Sequence, residues 1–269
     1  MNHLLYDAHL HLQDRRLDCV RSGLPAWYGK ENVARIVVNG TQVSDWPDVL
    51  QLAEQIQQVL PSFGIHPWWI ENRPEDWLNR LIGHQESIPS VIGEIGLDRW
   101  FKKDNMEDQV SVFLDQWHVA NERGLPVTIH CLKAWGTLLD LIEKHPHQGP
   151  GFLLHSYSGP LEMVDAWVKL GARFSISGHF AHPRKASRRE VFHRIPLDRI
   201  LIETDAPDMP PPEEWVKFPL PTEPDQKPIN HPGNLISIYD FAAKWLEIPQ
   251  DELESIIEHN FREMFGMVM

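Results

Sequence analysis

The chain has 269 residues, a formal net charge of −13 at pH 7, and 42% hydrophobic and 23% charged residues. This composition is typical of a soluble globular protein, and no apolar run reaches the roughly 18 residues that a membrane-spanning helix needs. The acidic balance argues against a broad surface that coats nucleic acid, because such binding depends on lysine and arginine. It leaves room for a compact site where bound cations meet a phosphate.

Cysteine usage and the N-terminal residues bear on the cellular compartment. Cys19 and Cys131 are the only cysteines, and they belong to no metal-binding spacing. The start of the chain lacks the basic region, apolar stretch and cleavage site of a signal peptide. We therefore predict reduced thiols, a cytoplasmic location, no membrane association and no obligate protein partner.

Short β-rich segments recur along the chain, and each is followed by residues with helical spacing. The segments are LLYDAHLHL, VARIVVNGT, VLPSFGIHP, SVIGEIGLD, LPVTIHC, GFLLHSYSG, RFSISG and ILIETDAP. Helical stripes of apolar residues run through 46–60, 106–120 (stopped by Gly124) and 253–265. Strands that alternate with helices predict a parallel sheet, and eight such units predict an α/β fold of the closed (β/α)8 type, a TIM barrel.

The alternative fold is an open doubly wound sheet, which would carry a glycine-rich phosphate loop after the first strand. The sequence HLQDRR at that place is unlike such a loop, so we predict a single barrel domain over 1–269. Residues 206–232, the proline-rich segment, cannot be a helix interior. Because the segment follows the eighth strand, we predict a long loop at the barrel mouth, a lid or wall of the site rather than a disordered linker.

Polar side chains gather where the predicted strands end. His9 and His11 are two positions apart at the end of the first strand, so they project to the same side. The other polar residues at strand ends are Glu94, Asp98, His130, His155 and Asp205. In a barrel these ends meet at the face that carries catalysis. Imidazole and carboxylate groups are typical ligands of divalent cations, and unpaired buried charges are costly, so we predict a metal site.

The motifs DAHLHL, GIHP, GEIGLD, TIHC, HSYSG and ETDAP occur in this order along the whole chain. Their order and spacing resemble those of the TatD family of metal-dependent hydrolases, a branch of the amidohydrolase-like barrels. The resemblance implies deoxyribonuclease activity on phosphodiester bonds and a site for two divalent cations, Zn²⁺, Mg²⁺ or Mn²⁺. The implied ligands are His9, His11 and Asp205 for one cation and His130 and His155 for the other, with Glu94 as the bridge.

The implied chemistry agrees with general principles of metal-assisted hydrolysis. Two cations about 3.5–4 Å apart can clamp the attacking and leaving oxygens and lower the pKa of bound water toward neutrality. Glu94 would set the spacing of the cations, and Asp205 is predicted to be both a ligand and the general base. Glu94 and Asp205 are therefore the predicted catalytic residues.

Residues near the same strand ends are candidates for substrate contact. They are His66, Asp98, Lys133 and Ser156. TatD proteins often carry an arginine where this chain has Leu132, with Lys133 next, and commonly a further histidine where it has Trp68. Arginine binds phosphate through two parallel hydrogen bonds whereas lysine offers a point charge, so the substrate is less firmly implied than the metal site.

Three functions are compatible with these residues. The favoured one is a metal-dependent phosphodiesterase acting on DNA. The second is a barrel hydrolase of a small ester, lactone or amide, which would use the same site with different loops. The third is a metal-binding interaction module without catalysis, and the presence of both Glu94 and Asp205 argues against it.

Overall fold

In the described residues, eight parallel strands form one sheet whose spatial order follows the chain order. The computed structural model describes residues 4–100, 105–221 and 227–269. The strands are Leu5–Leu10 (β1), Val33–Asn39 (β2), Val59–Phe63 (β3), Val91–Asp98 (β4), Val127–Leu132 (β5), Phe152–Leu154 (β6), Ala172–Ile176 (β7) and Ile200–Ile202 (β8). Each strand pairs in parallel with the next one, so the predicted parallel sheet is confirmed.

Helices follow every strand and surround the sheet. Their bounds are Asp18–Arg21 (α1), Leu24–Lys30 (α2), Trp46–Gln55 (α3), Trp77–Ser87 (α4), Met106–Arg123 (α5), Trp135–Lys144 (α6), Val164–Lys169 (α7), Arg188–Arg194 (α8), Leu235–Leu246 (α9) and Gln250–Phe265 (α10). None of the helices in the described ranges is both long enough and apolar enough to cross a bilayer. The alternation of strands and helices is that of a (β/α)8 barrel, as predicted.

The α5 helix illustrates how the sequence pattern sets an element. Phe113, Trp117 and Ala120 recur at helical spacing and are buried. Gly124 ends the helix at φ 64°, a left-handed conformation that glycine adopts without strain, and its amide donates to the carbonyl of Asn121. The stripe and the stop that the sequence predicts are both present.

The barrel closes between β8 and β1 through backbone groups just past the ladder. The amide of Asp205 donates to the carbonyl of His9 at 2.9 Å, and the amide of His11 donates to the carbonyl of Ala206 at 2.7 Å. These hydrogen bonds join the first strand to the residues that follow the eighth strand. Three of the four residues at this seam, His9, His11 and Asp205, are therefore ones that the sequence predicts as metal ligands.

Several predicted element boundaries are wrong. The stripe over 46–60 runs past the helix, because Ile56 adopts an extended conformation and Leu60 already belongs to β3. The β6 and β8 strands have three residues each, so His155 and Asp205 follow the strands instead of lying in them. Positive φ angles at Ser156 (42°) and Asp205 (53°) turn the backbone away from the ladder at these points.

The described part of the proline-rich segment packs along the rim of the barrel. Arg16, after β1, donates to both carboxylate oxygens of Asp208 at 3.1 and 2.8 Å. On the β7 side, the Nε2 atom of His182 lies 3.1 Å from the carbonyl of Pro210. Residues 222–226 of the segment lie outside the described residues. The described part therefore joins the loops that follow β1 and β7, and closure of the segment over a substrate stays a prediction.

Gly96 in β4 allows β5 to approach closely beside the predicted site. Its φ is 153°, and an added Cβ would lie 1.9 Å from the carbonyl oxygen of His130. We expect Gly96→Ala to lower the free energy of unfolding by about 3 kcal/mol, because backbone strain and overpacking each cost about 1–3 kcal/mol. Thermal unfolding would show this loss as a Tm lower by roughly 6–12 °C.

Gly83→Ala is the matched control for this prediction. Gly83 lies in α4, and a Cβ there would meet nothing within 4 Å. Alanine is the better helix former, so this variant should be neutral or up to about 1 kcal/mol more stable. Equal Tm values for the two variants would contradict the close approach at Gly96.

Candidate metal centre

Glu94 lies at the centre of a buried cluster of histidines. Its Oε2 atom is 3.4 Å from His9 Nε2 and 3.3 Å from His11 Nε2. Its Oε1 atom is 3.0 Å from His155 Nε2 and 3.3 Å from His130 Nδ1. The two oxygens of one carboxylate thus face two separate pairs of imidazoles. A ligand that bridges two cations needs this disposition.

Asp205 completes the first group, on the side of β1 and β8. Its Oδ1 atom lies 3.7 Å from His9 Nε2 and 3.5 Å from His11 Nε2. One ligand atom from each of these three residues falls within 4.8 Å of the others. Because the Nδ1 atom of His11 lies 2.8 Å from the carbonyl of Asn39, which only accepts hydrogen bonds, Nε2 is the nitrogen that faces the carboxylates.

The second group lies on the side of β3 to β6. His155 Nε2 is 3.4 Å from His130 Nδ1, and both nitrogens face Glu94. His66, predicted to contact substrate, points its Nε2 at Glu94 Oε1 from 3.6 Å while its Nδ1 accepts the Trp68 amide. The potential ligand atoms of His66, Glu94 and His130 lie within 4.8 Å of one another. The structure thus places His66 inside the cluster.

Acids and imidazoles in the cluster shift each other's pKa values. Burial alone would raise the pKa of Glu94, but the neighbouring imidazoles, His66 and His155 foremost, hold it well below its usual value. Burial lowers the pKa of His9 and of His66. For His155, burial is outweighed by Glu94 and Glu203, which raise its pKa well above the usual value. Without a cation, the lowered pKa of Glu94 favours its ionised form, and the raised pKa of His155 favours its protonated form.

Buried nitrogens without partners show that the site fits a cation. Both ring nitrogens of His9 and the Nδ1 atom of His155 have no hydrogen-bond partner among the described residues. Buried polar atoms in folded proteins are almost always paired, so such nitrogens point to an additional ligand. Imidazole and carboxylate donors without a thiolate suit Zn²⁺, Mn²⁺ or Mg²⁺. The residues present therefore fit divalent cations.

Glu203 is a fully buried acid that the sequence interpretation did not single out. Its Oε1 atom accepts the hydroxyl of Ser156 at 2.7 Å and lies 3.6 Å from His155 Nδ1. Together with His9 and His155 it forms a third group with metal-ligand spacing. Glu203 directly follows β8, and its place in the motif ETDAP, two positions before Asp205, is the sequence signal that could have marked it.

Asp98, another predicted substrate contact, is buried beside His130. Its Oδ2 atom lies 3.2 Å from His130 Nε2 and accepts the indole N–H of Trp68 at 2.6 Å. Its Oδ1 atom accepts the amide of Trp100 at 2.6 Å. Burial alone would raise the pKa of Asp98, but the hydrogen bonds from His130 and Trp68 lower it to about 2. Asp98 is thus an ionised group that orients the His130 ring.

The remaining predicted substrate contacts, Lys133 and Ser156, differ in accessibility. Lys133 is exposed, with its amine 4.4 Å from the centre of the Trp100 ring. Ser156 is half-buried, and its hydroxyl contacts Glu203 and Ser177. Lys133 is therefore open to a ligand, whereas the Ser156 hydroxyl is engaged within the protein. Substrate contact by either residue stays a prediction.

A (β/α)8 barrel with histidines and carboxylates gathered at the carboxyl ends of its strands defines a metal-dependent hydrolase. Residues 6–266 match the family model described as TatD related DNase. The chain belongs to this TatD family, as its motifs predict.

Similar proteins and a solved structure agree with this assignment. The uncharacterized metal-dependent hydrolase YjjV of Escherichia coli K12 is 28% identical over 238 residues, which cover 87% of each chain. The 3'-5' ssDNA/RNA exonuclease TatD of the same organism is 27% identical over 271 residues, covering 98% of this chain and 99% of that protein. The crystal structure of YjjV matches with a TM-score of 0.88 at 26% identity and covers 99% of both chains.

Proposed function

We propose that this protein hydrolyses phosphodiester bonds in single-stranded nucleic acid, DNA above all, with two bound divalent cations. The observation that carries the proposal is the position of Glu94, whose two oxygens face two separate groups of imidazoles. A similar protein is named as an exonuclease of single-stranded DNA and RNA, which supports nucleic acid as the substrate.

In this proposal the ligands divide between the two oxygens of Glu94. They are His9, His11 and Asp205 on the Oε2 side and His130 and His155 on the Oε1 side. Cations held there would supply positive charge to the phosphate and would lower the pKa of a bound water. His66 adds a further nitrogen on the Oε1 side.

The protein's own groups then orient the ligands and move the proton. Asp205 accepts the proton of the attacking water at a carboxylate oxygen, as a general base. Asn39 and Asp98 hold the rings of His11 and His130 through the nitrogens that face away from the centre. Burial of Glu94, which is 3% exposed, keeps competing water from the oxygens that face the imidazoles.

We propose the remaining features on more general grounds. The candidate cations are Zn²⁺, Mn²⁺ and Mg²⁺, because each accepts part of this donor set. One domain carries the whole activity, since the family match extends over residues 6–266. A cytoplasmic location is supported by the unpaired Cys19 and Cys131, which suit a reducing compartment.

The substrate class is tested by a panel of end-labelled oligonucleotides and small esters. Protein loaded with each candidate cation is incubated with a labelled single strand, the matching duplex, and a series of aryl esters and lactones. We expect the single strand to be cleaved about 100-fold more efficiently than the duplex, because a duplex must first be unpaired and unstacked at the site. Turnover of a lactone or ester above that of the strand would contradict the proposal.

A further inference from the structure

A basic cleft opens beside the metal centre and has no part in the chemistry described above. Its volume is about 480 Å³, and its lining residues are Trp100, His179, Arg184, Lys185, Ser187 and Arg188. Trp100 follows β4, whereas the other lining residues follow β7. We call this feature the Trp100 cleft.

Hydrogen bonds connect the Trp100 cleft to the half of the barrel mouth that carries His130 and His155. The amide of Trp100 donates to Asp98, which contacts His130. Arg188 donates to the carbonyl of Gly159, four residues beyond His155, at 2.8 Å. The cleft therefore lies over the β5 and β6 loops, next to the second group of ligands.

Within the described residues, no ion pair neutralises the cationic side chains of the cleft. Arg184 and Lys185 form no ion pair with a carboxylate of the described residues. Arg189, the neighbour of Arg188, instead pairs with Glu247 on a different surface at 2.6 Å. In a chain with a net charge of −13, the cleft thus gathers three cationic side chains, Arg184, Lys185 and Arg188, in one place.

In two groups of the cleft, neighbouring cations add to burial in lowering the pKa. Burial and the nearby Lys185, His182 and Arg184 lower the pKa of His179 to about 4. Burial, Arg188 and Arg184 also lower the pKa of Lys185. His179 is thus neutral at physiological pH and can form hydrogen bonds as an uncharged group. The cations next to it, Arg184 and Lys185, can bind an anion.

The exposed ring of Trp100 lines the cleft, and Asp98 connects it to a second exposed ring, that of Trp68. Trp100 is 64% exposed and Trp68 is 47% exposed, although tryptophan is normally largely buried. Asp98 binds the indole N–H of Trp68 and the amide of Trp100. Lys133 lies over the Trp100 ring. An exposed ring bordered by cations can stack on a base while the cations contact phosphates.

We propose that the Trp100 cleft binds single-stranded nucleic acid beyond the bond being cleaved, with a base stacked on Trp100 and phosphates held by Arg184 and Lys185. The inference rests on the proposed function, since it extends the path of the same substrate away from the metal centre. Charge complementarity favours a polyanion, and the exposed ring favours one with unstacked bases, which a duplex does not offer.

Binding is measured without hydrolysis, in chelator, by fluorescence anisotropy of a labelled oligothymidylate. For Arg184→Ala/Lys185→Ala we expect Kd to rise about tenfold near physiological salt, with a salt slope shallower by about 1.4 because two phosphate contacts are lost. The matched control is Lys144→Ala/Lys169→Ala, the same charge change on exposed residues near the carboxyl ends of α6 and α7. The control should leave Kd and the salt slope at parental values.

The stacking contact is tested with Trp100→Ala, Trp100→Phe and a strand that carries abasic residues. We expect Trp100→Ala to weaken binding of the normal strand about tenfold and Trp100→Phe to retain most of the affinity. The abasic strand should bind the parental protein weakly and lose nothing further in Trp100→Ala, because the base that contacts the ring is absent.

These measurements separate failure of the cleft from failure of the proposed function. If the variants weaken binding as expected but the metal-loaded protein cleaves no strand, the cleft is supported and the hydrolytic proposal fails. If Arg184→Ala/Lys185→Ala and Trp100→Ala bind like the parental protein, the cleft proposal is overturned whatever the activity. It is also overturned if inorganic polyphosphate displaces the strand while Trp100→Ala has no effect, since the site would then recognise charge alone.

Discussion

Glu94→Gln is expected to lower kcat/KM for an oligonucleotide by at least about a thousandfold, the scale expected when a charged group that organises the site is lost. An amide has one oxygen and one nitrogen. It can therefore present an oxygen to the His9–His11 pair or to the His130–His155 pair, but not to both. Elemental analysis should show the metal content falling from about two ions per chain toward one.

The matched control for this prediction is Glu143→Gln. Glu143 is an exposed acid on α6, so its neutralisation changes the net charge equally without touching the cluster. Circular dichroism should show parental secondary structure for both variants. Asp205→Asn should also lose activity, because the amide cannot accept the proton of the attacking water. Parental rates in Glu94→Gln or Asp205→Asn would show that the carboxylate concerned is not part of the catalytic site.

Removal of the cations is expected to abolish hydrolysis and to lower the Tm by more than about 10 °C. A ligand present at 100 times its Kd stabilises the folded state by about 2.7 kcal/mol, and two occupied sites double this contribution. Dialysis against a chelator, followed by calorimetry and by addition of Zn²⁺, Mn²⁺ or Mg²⁺ in turn, measures both losses and identifies the cation that restores them.

The effect of cation removal on the Tm is expected to depend on pH. In the cation-free protein, neighbouring carboxylates overcome burial and raise the pKa of His11, His130 and His155. Because these pKa values are raised in the folded protein, proton binding stabilises the cation-free fold at low pH. This stabilisation is lost as the pH rises through the raised pKa values. Cations compete with those protons, so the Tm difference between loaded and cation-free protein should widen with pH. Glu94→Gln should show a smaller difference, and a difference of zero in the parental protein would contradict the metal site.

The barrel was predictable from the sequence because its signals are local. Apolar periodicity and the helix stop at Gly124 depend on neighbouring residues. The alternation of strand-like and helix-like periodicity along the chain predicts the topology. The element ends were less predictable. Ile56 and Leu60 continue a helical pattern by spacing alone, yet Ile56 leaves the helix and Leu60 pairs in the sheet. Tertiary pairing decides such positions, and the local pattern does not contain it.

The candidate site was predictable in composition and only partly in arrangement. Residues at strand ends, such as His9 and Glu94, converge in any closed barrel, so their proximity follows from topology. The position of His66 against Glu94 depends on the loop after β3, and no periodic pattern describes that loop. Glu203 was missed because β8 ends early and the turn at Asp205 sets which side chains face inward.

The hydrogen bonds that close the barrel at His11 and Asp205 affect which part of the molecule unfolds first. A cation held by His9, His11 and Asp205 would cross-link segments that are about two hundred residues apart in the sequence. By the loop-entropy account, such a cross-link raises the free energy of unfolding by up to about 5 kcal/mol. We therefore expect hydrogen exchange at the amides of His11 and Asp205 to be slow in the cation-loaded protein. In the cation-free protein, we expect β1 to separate from the residues after β8 before the rest of the barrel unfolds.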